Sequence, residues 1–284
     1  MPPAFYDRTL RDTKIRGRGT LPLIKEAPCQ TSKIDTLVFT CAIHEAIMMG
    51  MTLRDKRVVV LTGAGISAES GVKTFRDNDG LWENHRIEDV ATPEAWARDP
   101  SLVWRFYQAR RSQLLEVGPN PAHLALARLE GKCGSLVLIT QNVDDLHERG
   151  GSESVIHMHG RLRSLRCQET GLSEVKMGER DLAEGFVLCS CCAVAARMRP
   201  DIVWFGEMPL EMGVIQREVE DCEIFIVIGS SGHVYPAAGL VNLANSNGAH
   251  TILVNFEMPI NGSDFDEVHI GKAGEILPAL VESW

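Results

Sequence analysis

The residues best suited to chemistry in this 284-residue chain lie in a glycine-rich turn. Residues 58–61 are Val-Val-Val-Leu, and Gly63 and Gly65 follow directly. Glycines at such a turn let the backbone approach a pyrophosphate closely, and the amides of a following helix can bind the anion. The pattern therefore indicates dinucleotide binding, although glycines after a strand also serve as a plain turn.

The continuation of this turn differs from a dehydrogenase fingerprint. In that fingerprint a helix leads to a second strand, which ends in an acidic residue about 20 positions later. Here Gly71, Phe75 and Arg76 predict an early end to the helix. Residues 77–80, Asp-Asn-Asp-Gly, predict a polar loop that closes over the nucleotide.

Polar side chains also follow a second apolar run at residues 136–139. Gln141, Asn142 and Asp144 would lie at the carboxyl end of this strand, where open α/β sheets bind ligands. Alone, Asn or Asp at such a position is more often a helix cap. Together with the glycine turn upstream, they favour a binding site.

Two histidines stand two residues apart, at His157 and His159. If the segment is extended, both side chains point the same way. By residue type each is more often a structural histidine than a base, but imidazole titrates near neutrality and suits proton transfer.

Tyr107 and Arg110 share one face of a helix predicted between residue 82 and about residue 117. Such a pair is usually a solvated helix face with a weak contact. The alternative is a carboxylate site, because guanidinium offers a planar, bidentate partner.

Four cysteines lie close together in the sequence. Cys189, Cys191 and Cys192 follow Cys167 by about twenty residues, and Thr170 stands where a second Cys-x-x-Cys pair would need its cysteine. A structural zinc site prefers that pair twice. Three cysteines, Cys167, Cys189 and either Cys191 or Cys192, could hold zinc with a fourth ligand from elsewhere, and buried thiols without metal are the alternative.

The last third of the chain predicts the fold. Residues 224–228 and 251–254 read as buried strands that end in polar groups, with a helix at about 237–245 between them. Alternating strands and helices predict an α/β protein with a doubly wound parallel sheet. Polar strand ends are also common as loop starters.

Composition excludes several classes of protein. The net charge of −9 argues against a broad nucleic-acid-binding surface, and no apolar run approaches the roughly 20 residues of a membrane span. Eight cysteines without a disulfide framework indicate thiols or a metal in a reducing cytosol. We therefore expect a cytoplasmic protein.

Residues 1–50 do not read like the rest. Their start is basic and interrupted by glycines, which predicts a poorly ordered extension outside the native fold. An organellar transit peptide is an alternative, weakened by Asp7, Asp12 and Asp35. Translation from Met48, Met49 or Met51 is another.

Five motifs, in this order, resemble the sirtuins, which are NAD-dependent protein-lysine deacylases. They are Gly-Ala-Gly-Ile-Ser-Ala-Glu-Ser-Gly from residue 63, Thr-Phe-Arg from 74, Thr-Gln-Asn-Val-Asp from 140, His-Gly from 159 and Pro-Asp-Ile-Val-Trp-Phe-Gly-Glu from 200. The match runs from about residue 57 to 280 and is closest to the bacterial CobB type.

The resemblance implies a catalytic domain over residues 51–284. A Rossmann-like large domain would comprise about 51–76, 119–160 and 201–284, and a small domain about 77–118 and 161–200. NAD and an acyl-lysine would meet in the cleft between them. NAD contacts would come from Gly63, Ala64, Gly65, Ser67, Ala68, Glu69, Phe75, Arg76, Trp82, Gln141, Asn142, Val143, Asp144, Gly229, Ser230, Ser231, Asn255, Phe256, Glu257 and Ala273.

The same resemblance implies roles in the reaction. His159 matches the general base, and Asn142 and Asp144 would position the ribose and its attacking water. Tyr107 and Arg110 would bind an acyl group that carries its own carboxylate, such as succinyl.

A tunnel for the acyl-lysine would be formed by Val203, Trp204 and Phe205, which would pack the lysine methylenes, unless the segment is a core strand with a tryptophan. Backbone pairing with the substrate tolerates many peptide sequences, so many protein substrates are expected. Cys167, Cys189 and Cys192 would hold zinc.

Two other classes of function stay open on the sequence. One is an NAD-dependent oxidoreductase, for which a second acidic ribose anchor is missing. The other is a non-catalytic module that binds NAD or acyl-lysine. ADP-ribosyl transfer to protein is a lesser variant of the enzyme hypothesis.

Overall fold

A sheet of six parallel strands organises the part of the protein described by a computed structural model, residues 53–72, 81–82, 85–176 and 185–284. For residues 81–82 and 173–176 the description is of the backbone alone. The predicted extension, residues 1–50, lies outside the described residues. In chain order the strands are β1 (Arg57–Thr62), β2 (Leu81–Trp82), β3 (His85–Arg86), β4 (Ser135–Thr140), β5 (Val155–His157), β6 (Gly160–Cys167), β7 (Ser173–Lys176), β8 (Met198–Ile202), β9 (Ile224–Ile228), β10 (His250–Asn255) and β11 (Glu267–Ile270).

The helices surround this sheet and a second, smaller one. In chain order they are α1 (Ala64–Ala68), α2 (Ile87–Val90), α3 (Pro93–Arg98), α4 (Pro100–Glu116), α5 (Pro121–Glu130), α6 (Leu146–Arg149), α7 (Met212–Asp221), α8 (Leu240–Ser246) and α9 (Ala273–Ser283). Short 3-10 helices occupy Ala237–Gly239 and Gly262–Asp264. Along the described chain, no helix is both long and apolar enough to cross a membrane.

The strand order is β11-β10-β9-β1-β4-β5, and every neighbouring pair is parallel. From β1 the chain moves outward to β4 and β5, then returns to β9 and moves outward the other way. The direction therefore reverses between β1 and β9, and this switch point is where open α/β sheets bind ligands. The predicted doubly wound parallel sheet is confirmed.

Helices cover both faces of the sheet because successive side chains of a strand alternate. Val58 and Val60 pack into a core that includes residues of α5 and α9. Val59 and Leu61 pack into a second core with residues of α7 and α8. Both faces are covered, which explains why the strands read as continuous apolar runs.

Three consecutive helices begin with the same local signal. Thr92, Asp99 and Asn120 precede the first prolines of α3, α4 and α5, and each side chain accepts a hydrogen bond from a backbone amide of its helix. Such caps and N-terminal prolines favour helix starts. The helical prediction for residues 82–117 holds from α2 onward, whereas Leu81–Trp82 and His85–Arg86 pair as antiparallel strands.

A third core lies beside the main sheet. It joins α3 and α4 to the antiparallel sheet β7-β6-β8, and its large side chains include Trp96, Trp104, Tyr107 and Trp204. These elements belong to the segments predicted as the small domain, and the division into two domains stays a prediction. Strand β8 ends at Ile202, so Val203, Trp204 and Phe205 follow the strand and are not part of it.

Candidate active site

The glycine turn after β1 packs against the loop after β9. Gly63 N–H donates to the Ile228 carbonyl and Gly65 N–H to the Gly229 carbonyl, each at 2.9 Å. A Cβ on Gly65 would lie 2.7 Å from the Gly229 Cα, and Gly229 itself has φ of +63°. Only glycine fits such a backbone-to-backbone approach. The structure thus gives the glycines a packing role at the switch point, and their contact with a pyrophosphate stays a prediction.

A buried hydrogen-bond network joins α1 to the end of β4. Ser67 Oγ donates to Asp144 Oδ2 at 3.0 Å, and Asn142 Nδ2 donates to Ser67 Oγ at 3.0 Å. Leu146 N–H donates to the other Asp144 oxygen at 3.1 Å. The structure therefore brings together three residues predicted from two separate motifs.

Burial raises the pKa of the Asp144 carboxyl, although the hydrogen bonds from Leu146 and Ser67 and the charge of His157 oppose the rise. The carboxyl group is held rigidly at both oxygens. It can orient a ribose hydroxyl or a water molecule, since a carboxylate retains further acceptor positions.

A layer of polar residues below this network was not anticipated from the sequence. Thr62 Oγ1 donates to Thr140 Oγ1 at 2.9 Å, and Thr140 Oγ1 also accepts from Asn142 N–H at 3.0 Å. Since the Thr62 hydroxyl has one proton, His147 Nε2, at 2.9 Å from Thr62 Oγ1, is the donor of its own contact. Burial lowers the pKa of His147 to about 3, so the ring is neutral.

His159 is oriented as a base. Its Nδ1 lies 3.0 Å from the Gln141 carbonyl, which can only accept, so Nδ1 carries the proton and Nε2 keeps its lone pair. Burial lowers the pKa of His159, and the Gln141 hydrogen bond opposes part of the fall. The ring is therefore neutral at neutral pH, as a general base must be.

The polar residues predicted as NAD contacts in the last third of the chain lie at the carboxyl ends of β9 and β10. Gln141 Nε2 donates to Ser230 Oγ at 3.2 Å, which links β4 to β9 across β1. Asn255 Nδ2 donates to the Glu257 carbonyl at 2.7 Å, and Glu69 Oε1 accepts from Gly274 N–H at 2.9 Å, next to Ala273.

The other predicted NAD contacts differ in exposure. Ser231 and Val143 are partly buried, whereas Ala68 and Phe256 are exposed. Phe75 and Arg76 lie outside the described residues, as does the side chain of Trp82.

Tyr107 and Arg110 face inward from α4. Tyr107 is fully buried and Arg110 is only 7% exposed, so the alternative of a solvated helix face is wrong. Trp204 Nε1 donates to the Tyr107 hydroxyl at 3.0 Å. Burial raises the pKa of Tyr107, and the Trp204 hydrogen bond and the charges of Arg110 and Arg199 oppose the rise. The phenol therefore keeps its proton.

Trp204 is packed into the core, and its predicted contact with the lysine methylenes stays a prediction. Its side chain is 2% exposed, and its ring lies 5.9 Å from the Trp96 ring, with the Arg199 guanidinium 3.7 Å above it. Its surface is therefore covered by the core, as in the alternative of a core tryptophan. Val203 is partly buried, and its amide donates to the His159 carbonyl at 2.9 Å. Phe205 is 49% exposed.

Four thiols form one cluster near the β6–β8 sheet. The sulfurs of Cys167, Cys189, Cys191 and Cys192 all lie within 4.8 Å of one another, and Cys167 and Cys192 are 3.6 Å apart. Tetrahedral zinc with Zn–S bonds of about 2.3 Å requires sulfurs about 3.8 Å apart. The donor set fits zinc, and Cys191 joins the three predicted ligands instead of replacing one. Thr170 Oγ1 lies 3.3 Å from the Cys191 sulfur.

The fold and site define a Rossmann-like α/β protein with a buried polar network at the carboxyl ends of its parallel strands and a four-thiol cluster near its antiparallel sheet. Residues 63–236 match the model of the Sir2 family. This chain belongs to that family.

Similar proteins extend over most of the chain. The NAD-dependent protein deacylase of Vibrio cholerae is 55% identical over 82% of this chain and 94% of its own length, and that of Salmonella typhimurium is 52% identical over 82% and 85%. A solved Sir2 homologue in complex with NAD is 41% identical and superimposes with a TM-score of 0.73, over 85% of this chain and 92% of that chain.

Proposed function

We propose that this protein is an NAD-dependent protein-lysine deacylase that removes acetyl and succinyl groups and produces nicotinamide and O-acyl-ADP-ribose. The observation that carries the proposal is the neutral His159, whose Nδ1 is fixed by the Gln141 carbonyl. Gln141 is followed directly by Asn142, which belongs to the hydrogen-bond network of Ser67, Asn142 and Asp144. Family membership and the names of the similar enzymes support the same reaction.

NAD is consumed as a co-substrate, because the acyl oxygen attacks its ribose at the anomeric carbon and nicotinamide leaves. His159 Nε2 then takes the proton of a ribose hydroxyl that attacks the carbon of the former acyl carbonyl. Water adds to this carbon and its bond to the lysine nitrogen breaks, which releases free lysine and O-acyl-ADP-ribose. Asn142 and Asp144 orient the ribose and a water molecule, and Gln141 holds both His159 and Ser230. The chain contributes mainly by positioning these groups in a site with little water.

The acyl end would be recognised by Tyr107 and Arg110. A buried carboxylate is costly without a partner, and a guanidinium with a neutral phenol supplies both charge and a hydrogen bond. The Tyr107 hydroxyl accepts from Trp204, so its own proton is directed away from Trp204. This arrangement supports succinyl as a substrate in addition to acetyl.

The four thiols would hold a structural zinc ion, through Cys167, Cys189, Cys191 and Cys192. A closed four-ligand site leaves no position for a substrate. Zinc would therefore stabilise the antiparallel sheet and take no part in the reaction. We also infer a cytoplasmic location, because the cysteines of the described residues are free thiols.

A nicotinamide-release assay with acetyl-lysine, succinyl-lysine and unmodified lysine peptides tests this function. We expect release with both acylated peptides and none with the unmodified peptide, together with O-acyl-ADP-ribose by mass spectrometry. Binding of NAD without release would indicate a non-catalytic module. An absorbance change at about 340 nm with candidate alcohols would indicate hydride transfer, and ADP-ribose attached to the peptide would indicate transfer to protein.

A further inference from the structure

His157 sits two residues before His159 and is buried between two acceptors. Its Nδ1 lies 3.3 Å from the Asn142 carbonyl, and its Nε2 lies 2.7 Å from Glu148 Oε1 on α6. The His157 side chain is 3% exposed, whereas that of Glu148 is 37% exposed. The two histidines therefore anchor consecutive carbonyls, those of Asn142 and Gln141, at the end of β4.

The partners of the two rings require different protonation. A carbonyl oxygen can only accept, so Nδ1 is a donor in both His157 and His159. His159 has Nε2 available as a base, but His157 has Nε2 at a short distance from a carboxylate, typical of a charge-assisted hydrogen bond. Burial alone would raise the pKa of Glu148, but the hydrogen bond and charge of His157 lower it overall, so the carboxylate is ionised. Both nitrogens of His157 then carry protons.

The charge on His157 acts on the carboxyl group of Asp144. Asp144 is buried, its pKa is raised by burial, and the positive charge of His157 opposes that rise. Other groups that act on these residues are the neutral His147 on α6, Arg161 on β6, whose charge acts on Glu148, and Asp145, whose negative charge raises the pKa of Asp144. A cation at residue 157 thus has two carboxylates to compensate it, Glu148 and Asp144.

We propose that His157, held as an imidazolium between the Glu148 carboxylate and the Asn142 carbonyl, is a positioning residue that anchors this carbonyl in the loop that carries Asp144. It does not touch the reacting atoms. The proposal rests on the deacylase function, because Asn142 and Asp144 matter only if they position the ribose. Under this proposal the His157 ring is doubly protonated and positively charged, whereas the His159 ring, two residues later, is neutral.

Nitrogen-15 NMR of the full chain labelled at histidine tests the protonation directly, without substrates. We expect one ring at pH 7 with two protonated nitrogens, assigned to His157 by its loss in His157→Gln. Glu148→Gln keeps a hydrogen-bonding partner but supplies an amide that can donate to Nε2, so the ring should become neutral. A neutral His157 in the wild-type protein would overturn the proposal.

The pH profile of kcat/KM for NAD, at saturating acetyl-lysine peptide, tests the consequence. Without the imidazolium, Asp144 takes up a proton at a higher pH, so the acid limb should move upward by about one pH unit in Glu148→Gln and in His157→Gln. The double variant should match His157→Gln, because two residues that act as a pair are not additive.

The control is Arg149→Gln, also on α6, whose guanidinium donates to the Leu114 carbonyl at 3.2 Å. It should lower thermal stability and leave the acid limb in place. If Glu148→Gln behaves like Arg149→Gln, the pair is only structural and the proposal is wrong. If wild-type protein releases no nicotinamide, the deacylase function fails instead, while the NMR result still stands on its own.

Discussion

Trp204 donates its indole N–H to the Tyr107 hydroxyl at 3.0 Å, and this hydrogen bond joins α4 to the segment after β8. The amide of the preceding residue, Val203, donates to the His159 carbonyl. Tyr107, the residue proposed to bind the acyl group, is therefore connected to the proposed base by two hydrogen bonds and the peptide bond between Val203 and Trp204. Trp204 therefore links the proposed acyl-binding residue to the segment that contacts the proposed base.

Tyr107→Phe should lower both stability and desuccinylation. The substitution leaves the buried Trp204 N–H without its acceptor, which costs about 1–3 kcal/mol of unfolding free energy. Loss of the hydroxyl should reduce kcat/KM for succinyl-lysine by about fivefold to tenfold, the equivalent of about 1 kcal/mol. Urea unfolding and assays with both acyl peptides measure the two effects separately, and unchanged stability would show that the hydrogen bond is not formed.

Arg110→Met should separate the two acyl substrates. Deleting one side of a buried charge pair costs about 2–5 kcal/mol, so kcat/KM for succinyl-lysine should fall by about 30-fold to a few thousand-fold. Acetyl-lysine carries no charge at this end and should change much less. Equal losses for the two substrates would show that Arg110 is a structural contact and would remove succinyl from the proposed function.

Cys191→Ser should weaken zinc binding even though three other thiols remain. A four-cysteine site holds zinc as part of the folded structure, and loss of one thiolate should ease removal by a chelator and unfold the small antiparallel sheet first. Thr170→Val is the matched control, because it removes the hydroxyl beside Cys191 and no sulfur. Elemental analysis of the wild-type protein should give about one zinc per chain, and its absence from active protein would exclude the metal.

Acid should destabilise the protein through His123 and His147, whose rings lie 4.9 Å apart in the core. Burial lowers the pKa of His123 to about 4 and that of His147 to about 3. The unfolded chain therefore binds more protons below about pH 6.5, and each histidine can remove up to about 1.4 kcal/mol of stability per pH unit. The stability is fully present above pH 6.5 and is lost as pH falls toward 4 and 3.

Urea unfolding of the wild-type protein and of His123→Gln at pH 7, 6 and 5 measures this dependence. The variant has one buried histidine fewer, so its stability should fall less steeply with acid. Parallel slopes for the two proteins would contradict the assignment of buried neutral rings.

The sequence predicts the sheet well because its strands are buried on both faces and read as apolar runs, such as residues 58–61 and 224–228. It also predicts the two strand-end motifs, and the structure joins them through Ser67 and Asp144. Glycines and polar residues at the carboxyl ends of strands are local signals, and they are sufficient to predict this part of the site.

What the sequence missed depends on contacts between distant segments. A buried network is formed by Thr62, Thr140 and His147 only when β1 and β4 pair. No local sequence pattern indicates that these side chains will meet. The burial of Trp204 depends on Trp96 and Arg199, which no local pattern reveals. The inclusion of Cys191 beside Cys192 likewise requires the loop to bring two nearly adjacent thiols to one point.

The most direct test of the account compares nicotinamide release and deacylation by the wild-type protein and by His159→Ala, with NAD affinity measured by calorimetry. A general base contributes about 10²–10⁴-fold to rate and little to binding. We predict that deacylation of the acetyl peptide falls by at least 10²-fold, while the NAD dissociation constant stays within about threefold because the Ser67, Asn142 and Asp144 network is intact. Near-normal turnover in His159→Ala would contradict the proposed mechanism.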